Sequence, residues 1–177
     1  KNAFGIIGND VAGKRSHYIL EERVVNTLKY TFNSTLNSTL SEHASLSAGI
    51  TYQSQRNNYY KKVEDLLGGD FYVDVNQFGE RDFPTNPSAG QNNVLIPNRI
   101  VGEGDKFGYN YDLNIKRGSA WLQGVFKFRK FDLFVATEHS YTSFYRFGNV
   151  KTGLFPNNSY GKSATYNFYN SSIKGGI

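Results

Sequence analysis

Between Asp65 and Phe83 the chain places five carboxylates, Asp65, Asp70, Asp74, Glu80 and Asp82, among aromatic residues and one arginine, Arg81. Oxygen donors at this density can hold a hard cation, but their order does not follow an EF-hand loop, and we assign no metal. Asp70, Asp74 and Asp82 are expected instead to cap turns or pair with Arg81, while Leu66, Leu67, Phe71, Tyr72 and Phe78 form a small apolar cluster beneath them. Loops carried on a rigid scaffold are where binding residues concentrate. Tyr59, Tyr60, Asp70, Tyr72, Asp74, Arg81 and Asp82 are therefore the candidates for contact with a substrate or a partner.

No other part of the chain has the spacing of a catalytic centre. His17, His43 and His139 lie far apart, and none has a ligand at i, i+4. Gly102-Glu103-Gly104 with Gly108 lacks the spacing that cradles a phosphate and precedes a strand rather than a helix. Cysteine is absent, which removes disulfides and thiolate metal sites. The expectation is a chain that is not an enzyme and uses no cofactor. Its formal charge of +5 is scattered over single residues and pairs such as Lys14-Arg15 and Lys116-Arg117, without the clustering that nucleic-acid binding requires. Methionine is also absent, the first residue is Lys1, and no basic-then-apolar leader is visible. These features point to an internal stretch of a longer polypeptide.

The elements that must position the loop follow from a period of two. Leu28, Tyr30, Phe32 and Leu36 alternate with Thr27, Lys29, Thr31, Asn33 and Thr35, which predicts a strand from about Arg15 to Leu36. The polar segment Asn37 to His43 reads as a turn. A second strand rises from Ala44 to about Arg56, with Leu46, Ile50 and Tyr52 on one face and Gln53 on the other. The segment Asn57 to Lys106 lacks alternation and reads as a long connection, with one or two helical turns over Tyr60 to Leu67. A third strand, about Phe107 to Arg129, changes parity at Arg117-Gly118-Ser119. A turn or a β-bulge can each shift the register by one. Only a bulge at Gly118 leaves both long connections on the same side, so a bulge is expected. A fourth strand, about Phe131 to Arg146, a second long connection over Phe147 to Lys162, and a last strand from Ser163 to about Ile173 complete the chain.

Mean hydropathy is −0.53, and no run approaches the roughly 20 apolar residues of a membrane helix. A membrane β-barrel reconciles this hydropathy with the alternation, because only every second strand residue faces lipid. Short turns alternating with long loops also fit such a barrel, whereas a structureless connection of this length is uncommon in a compact soluble domain. The fold class is therefore all-β, an antiparallel transmembrane barrel segment of about five long strands, treated as one partial domain over residues 1–177. Leu28, Tyr30, Phe32, Leu46, Ile50 and Tyr52 are expected to face lipid. Parity turns Trp121 toward the lumen, and Tyr166 and Phe168 toward lipid or the interfacial girdle. Closed single-chain barrels start at about eight strands, so the remaining wall must come from elsewhere.

The run Tyr59-Tyr60-Lys61-Lys62-Val63-Glu64-Asp65-Leu66-Leu67-Gly68-Gly69-Asp70-Phe71-Tyr72-Val73-Asp74 carries a resemblance, together with Asn76-Gln77-Phe78 and Glu80-Arg81-Asp82. So do Ser143-Phe144-Tyr145-Arg146-Phe147-Gly148 and Ser159-Tyr160-Gly161-Lys162-Ser163. These segments resemble the barrel of TonB-dependent outer-membrane receptors of the Bacteroidota type. The resemblance implies a plugged barrel of about 22 strands in the outer membrane of a Gram-negative bacterium. It further implies uptake of a scarce nutrient, such as a siderophore, glycan or peptide, driven by the TonB complex through a plug domain. The implied partners are outer-membrane lipid, the TonB complex and a surface lipoprotein. No counterpart of the plug or of the TonB box is present in this sequence. Two other readings of the same residues are a secreted β-rich carbohydrate-binding module and a passive outer-membrane barrel.

Overall fold

The computed structural model describes residues 12–177; of the domain expected over 1–177, residues 1–11 lie outside the described residues. The fold is all-β with antiparallel sheets and one short helix. Four long strands, β1 (Leu20–Ser41), β2 (Ala44–Asp65), β5 (Lys106–Lys127) and β6 (Asp132–Gly148), are joined by the shorter β8 (Tyr166–Gly176). Two-residue strands β3 (Tyr72–Val73), β4 (Ile100–Val101) and β7 (Gly161–Lys162) and the helix α1 (Gln77–Asp82) lie in the connections. The main sheet runs β1-β2-β5-β6-β7, with β8 also on β6, and β3 pairs with β4 in a separate two-stranded sheet.

Several element boundaries differ from those expected. β1 starts at Leu20 rather than near Arg15, because the preceding residues run along Phe71: Ser16 donates its backbone N–H to the Phe71 carbonyl at 2.7 Å, and Arg15 forms a parallel bridge with Phe71. β1 also continues to Ser41, so Asn37 to Ser41 are strand and the turn shrinks to Glu42-His43. Leu40 keeps the even parity of Leu28 to Leu36, and threonine is β-branched and as suited to strands as to turns.

The helical turns expected over Tyr60 to Leu67 are absent, since β2 runs on to Asp65. Lys61 and Lys62 reach Glu21 and Glu22 of the neighbouring strand at 2.8 and 2.7 Å, and ladder pairing outweighs the helix propensity of Lys, Glu and Leu. The strand ends where Leu67 and Gly68 take φ of 53° and 83°. The last strand runs past its expected end near Ile173, and Lys174-Gly175-Gly176 close β8. Gly176 tolerates that place because the Phe134 ring lies where its Cβ would project, 2.5 Å from Phe134 Cε1. β5 is a single strand through Gly118, so the chain does not reverse there, and there is open space at the position of a Cβ on Gly118.

The contacts gather the chain into two compact units, each drawing on the long strands. One comprises the described residues up to Thr27 with Asn57–Leu113 and Arg146–Ser163, and so holds both long connections. All buried hydrophobic side chains among the described residues belong to it. Phe71, Val73 and Val75 pack with Ile100, and Val63, Leu66, Val101 and Phe107 pack with Ile19 and Tyr72. The expected cluster is therefore divided: Leu66 and Phe71 are buried in different groups, while Leu67 and Phe78 are exposed. The backbone between Asp65 and Asp70 bends away through positive φ and turns Leu67 outward.

The other unit comprises Leu28–Arg56, Asn114–Tyr145 and Ala164–Ile177. It is sheet without a hydrophobic core. Leu28, Tyr30, Phe32, Ile50 and Tyr52 are exposed, Leu46 is half-buried, and Lys29, Thr31 and Asn33 on the opposite face of β1 are exposed as well. Pairing of Phe144 with Tyr166 and of Thr142 with Phe168 puts these rings together on one face, Phe144 stacking on Phe168 at 5.8 Å. Tyr141 and Tyr169 meet on the other face at 4.9 Å.

Trp121 lies against Gly49, on the β2 face that carries Gln53 and away from Ile50. A Cβ on Gly49 would stand 2.4 Å from the Trp121 Nε1. Gly49→Ala is expected to push the indole aside at a cost of about 1 to 3 kcal/mol. Because Trp121 is the only tryptophan, its fluorescence emission reads the displacement directly, and an unchanged spectrum would refute the packing.

Candidate functional site

Within the unit that holds both long connections, a cleft of about 510 Å³ is lined by residues of β1, β2, β5 and the two loops. Its volume falls in the range of small-molecule sites, roughly 300 to 1,000 Å³. Tyr18, Tyr72, Phe78, Phe107, Tyr109 and Phe155 supply aromatic walls. Tyr72 stands edge-on to Phe107 with ring centroids 5.7 Å apart, and burial pushes its hydroxyl above the usual tyrosine range, with the Asp74 charge adding to this. Lys61 Nζ lies 5.7 Å from the centre of the Phe107 ring and 5.8 Å from that of Tyr109. Its charge is met by Glu21 at 2.8 Å.

Asp74 sits behind the cleft and holds its parts together. It is 3% exposed and accepts hydrogen bonds from Asn92 Nδ2 and the Gly108 N–H, both at 2.8 Å. Arg99 Nη2 stands 3.5 Å away. The Gly108 bond matters because Gly108 has φ +66° at the start of β5, a conformation open to glycine at little cost. One carboxylate thus ties β3, the loop before β4, and β5 at the cleft wall. Asn76 caps α1 by accepting from the N–H groups of Phe78 and Gly79, both at 3.1 Å, and this cap places Phe78 at the rim.

Of the contact candidates read from the sequence, Tyr72 alone lines this cleft. Tyr59 belongs to a separate polar group: it stacks on Tyr111 at 5.0 Å, beside Asn58, which bonds Asp112 at 2.8 Å and Asn110 at 3.1 Å. Tyr60 carries Lys106 Nζ 3.9 Å above its ring. Asp70 accepts from the Lys14 N–H at 2.7 Å, pinning the residues that lead into β1. Arg81 and Asp82 pair with each other at 2.7 Å on the exposed end of α1, with Arg81 over the Phe78 ring. The carboxylates therefore serve the loop's architecture.

Sequence reasoning missed Phe107, Tyr109, Thr152 and Phe155, because two stand in a strand and two in the second long connection. The signal that could have found them is the aromatic density of both loop flanks. Among the described residues, no three His, Asp or Glu side chains come together as a metal site. His139 is bound to Ser171 at 2.9 Å on an exposed strand face. Neither a protein-family model nor a curated protein matches the sequence.

Phe78 and Phe155 are 68% and 65% exposed at the rim. Replacing both with Ser is expected to leave stability within about 0.5 kcal/mol, since neither fills the buried clusters; a larger loss in a urea titration would show that they hold the loops together.

Proposed function

We propose that this chain is a section of the wall of a plugged outer-membrane barrel of the TonB-dependent receptor kind, of about 22 strands. In this reading the receptor takes up a scarce nutrient such as a siderophore, glycan or peptide in a Gram-negative bacterium. The observation that carries the reading is the unit without a core: its sheet leaves the apolar side chains of β1 and β2 bare, and the polar face of β1 bare as well. In water, an antiparallel sheet normally buries one face against a second layer, and exposed apolar patches of this kind mark membrane or partner surfaces. Lipid satisfies Leu28, Tyr30, Phe32, Ile50 and Tyr52, while a water-filled or plugged lumen satisfies Lys29, Thr31 and Gln53. The long connections, gathered in one unit with its own core and cleft, then form the substrate-facing mouth, where a surface lipoprotein would dock. Energy comes from the TonB complex through the plug domain.

These 177 residues contain no cysteine, so a label can be placed here once any cysteine elsewhere in the polypeptide is replaced by serine. In the full-length protein reconstituted in bilayers, a nitroxide on Phe32→Cys is expected to be accessible to oxygen and shielded from a water-soluble nickel complex. A nitroxide on Thr31→Cys should behave the opposite way. Equal exposure of both to the nickel complex, or a monodisperse monomer in detergent-free buffer, would overturn the reading.

A further inference from the structure

Within the coreless unit, the pairings fix which side chains share a face across β2, β5, β6 and β8. Lys127 donates its backbone N–H to the His43 carbonyl at 2.7 Å and Trp121 lies against Gly49, so the odd residues of β2 and β5 share one face and the even residues the other. Phe128 donates its backbone N–H to the Phe131 carbonyl at 2.9 Å, and their rings meet at 4.8 Å. This joins the even residues of β5 to the odd residues of β6, and Gly118, Ala120, His139, Tyr141 and Tyr169 line one hollow. His139 pairs with Ser171 and Tyr141 with Tyr169 on β8. Tyr166 and Phe168 therefore stand on the Trp121 face, not with Ile50 on the side expected to meet lipid.

On the Ile50 face, every residue within 44–52 of β2 and 118–128 of β5 is apolar, aromatic or glycine. The same holds for residues 131–141 of β6 and for β8 from Tyr169, except at Thr137, His139 and Ser171. Those three satisfy one another. Thr137 donates to the Ser172 carbonyl at 3.1 Å, His139 Nε2–H to Thr137 Oγ1 at 3.2 Å, and Ser171 to His139 Nδ1 at 2.9 Å. Hydrocarbon supplies no hydrogen bonds, so polar groups within it must find partners in the protein. The charged side chains of the same spans, Lys127, Asp132, Glu138 and Lys174, all lie on the Trp121 face.

The apolar face stops along one line. Its last members are Tyr52, Gly118, Tyr141 and Tyr169, and the next residues on that face are Ser54, Lys116, Ser143 and Asn167. Tyr141 turns its hydroxyl across the line to Asn167 Oδ1 at 2.8 Å, as a ring does at a membrane–water interface. Between the line and the tight turns, β2, β5 and β6 contribute nine, eleven and eleven residues, which matches the roughly 9–11 residues of a tilted strand crossing the hydrocarbon. The strands themselves run on, since β5 begins at Lys106 and β6 continues to Gly148.

We propose that the edge of the hydrocarbon lies along Tyr52, Tyr141 and Tyr169. Lipid chains cover these strands only between that line and the tight turns, and lipid headgroups meet Lys116 and the polar row beside it. The inference rests on the membrane-wall reading and adds to it where the bilayer stops.

Nitroxides on the full-length protein in bilayers, with any other cysteine replaced by serine, test the band. Labels on Leu122→Cys and Val135→Cys are expected to be accessible to oxygen and shielded from a water-soluble nickel complex. Labels on Lys116→Cys and Ser143→Cys should lose that shielding. Lys116 or Ser143 shielded as fully as Leu122 would move the edge outward and overturn the proposal. So would shielding of Leu122 and Val135 from oxygen as well as nickel, which would assign the face to another protein surface. The Phe32 and Thr31 labels keep the two readings apart. With Phe32 shielded from nickel and Thr31 open to it, either of those results removes the band alone, whereas nickel access at Phe32 and Leu122 alike removes the membrane wall and the band with it.

Discussion

Arginine in place of Ile50 is expected to lower the stability of the bilayer-inserted protein by about 2 to 4 kcal/mol, the depth-dependent cost of a cation on the lipid face near the midplane. Ile50 stands midway between Ala44 and Arg56, the part of β2 in the coreless unit, and it is 54% exposed. The same exposure gives an opposite forecast in water. A surface substitution that touches no core normally stays within about 0.5 kcal/mol, so the size of the effect identifies the solvent. Urea titration of refolding into lipid vesicles measures it, with Lys29→Arg on the opposite face as a control expected to change little. A small loss at Ile50 would remove lipid from the account of β1 and β2.

Asp74→Ala is expected to cost about 3 to 5 kcal/mol, because it strands the half-buried Asn92 amide and the Gly108 N–H and leaves Arg99 without its counter-charge. Asp74→Asn keeps an acceptor at the same place and should cost far less. The pair also fixes a sign. Burial is the largest influence on the Asp74 carboxyl and raises it above the usual aspartate range, against the lowering pull of Gly108, Asn92 and Arg99. The folded chain then keeps the Asp74 proton to higher pH than the unfolded chain, whose value lies near about 3.9. The contribution of this group to folding is complete below that value and is lost as pH rises through the folded one. The stability of the wild type relative to Asp74→Asn is therefore expected to fall as pH rises from about 3.5 toward neutrality, measured by denaturant titration at each pH. A difference that grows with pH would mean that the hydrogen bonds and Arg99 outweigh burial.

Both predictions concern residues that the sequence had singled out, but for different reasons. The alternation around Leu28 to Phe32 and Leu46 to Tyr52 is a property of the strand itself, since a period of two sorts side chains onto two faces whatever the strand packs against. Parity alone placed Ile50 opposite Gln53 and turned Trp121 to the polar side. It also kept β5 running through Gly118, once the loop lengths were weighed with it. Element ends were less legible. Serine, threonine and asparagine suit both turns and strands, and the ends of β1 and β8 depend on cross-strand partners such as Phe134 over Gly176.

The candidate site was the least legible part, and the cause is distance along the chain. Carboxylates gathered between Asp65 and Phe83 look like a contact surface when read in order. Folding instead turns them inward or sideways: Asp74 to Gly108 and Asn92, Asp70 to Lys14, Arg81 to Asp82. The cleft is built from residues as far apart as Tyr18 and Phe155, which no local pattern connects. The sequence by itself determined the strands, their two faces and the two long connections, because these follow from local periodicity and turn chemistry. The tertiary structure alone decided which side chains share a cavity and which carboxylate is buried, because burial and hydrogen-bond partnership depend on contacts between residues that the chain order keeps apart.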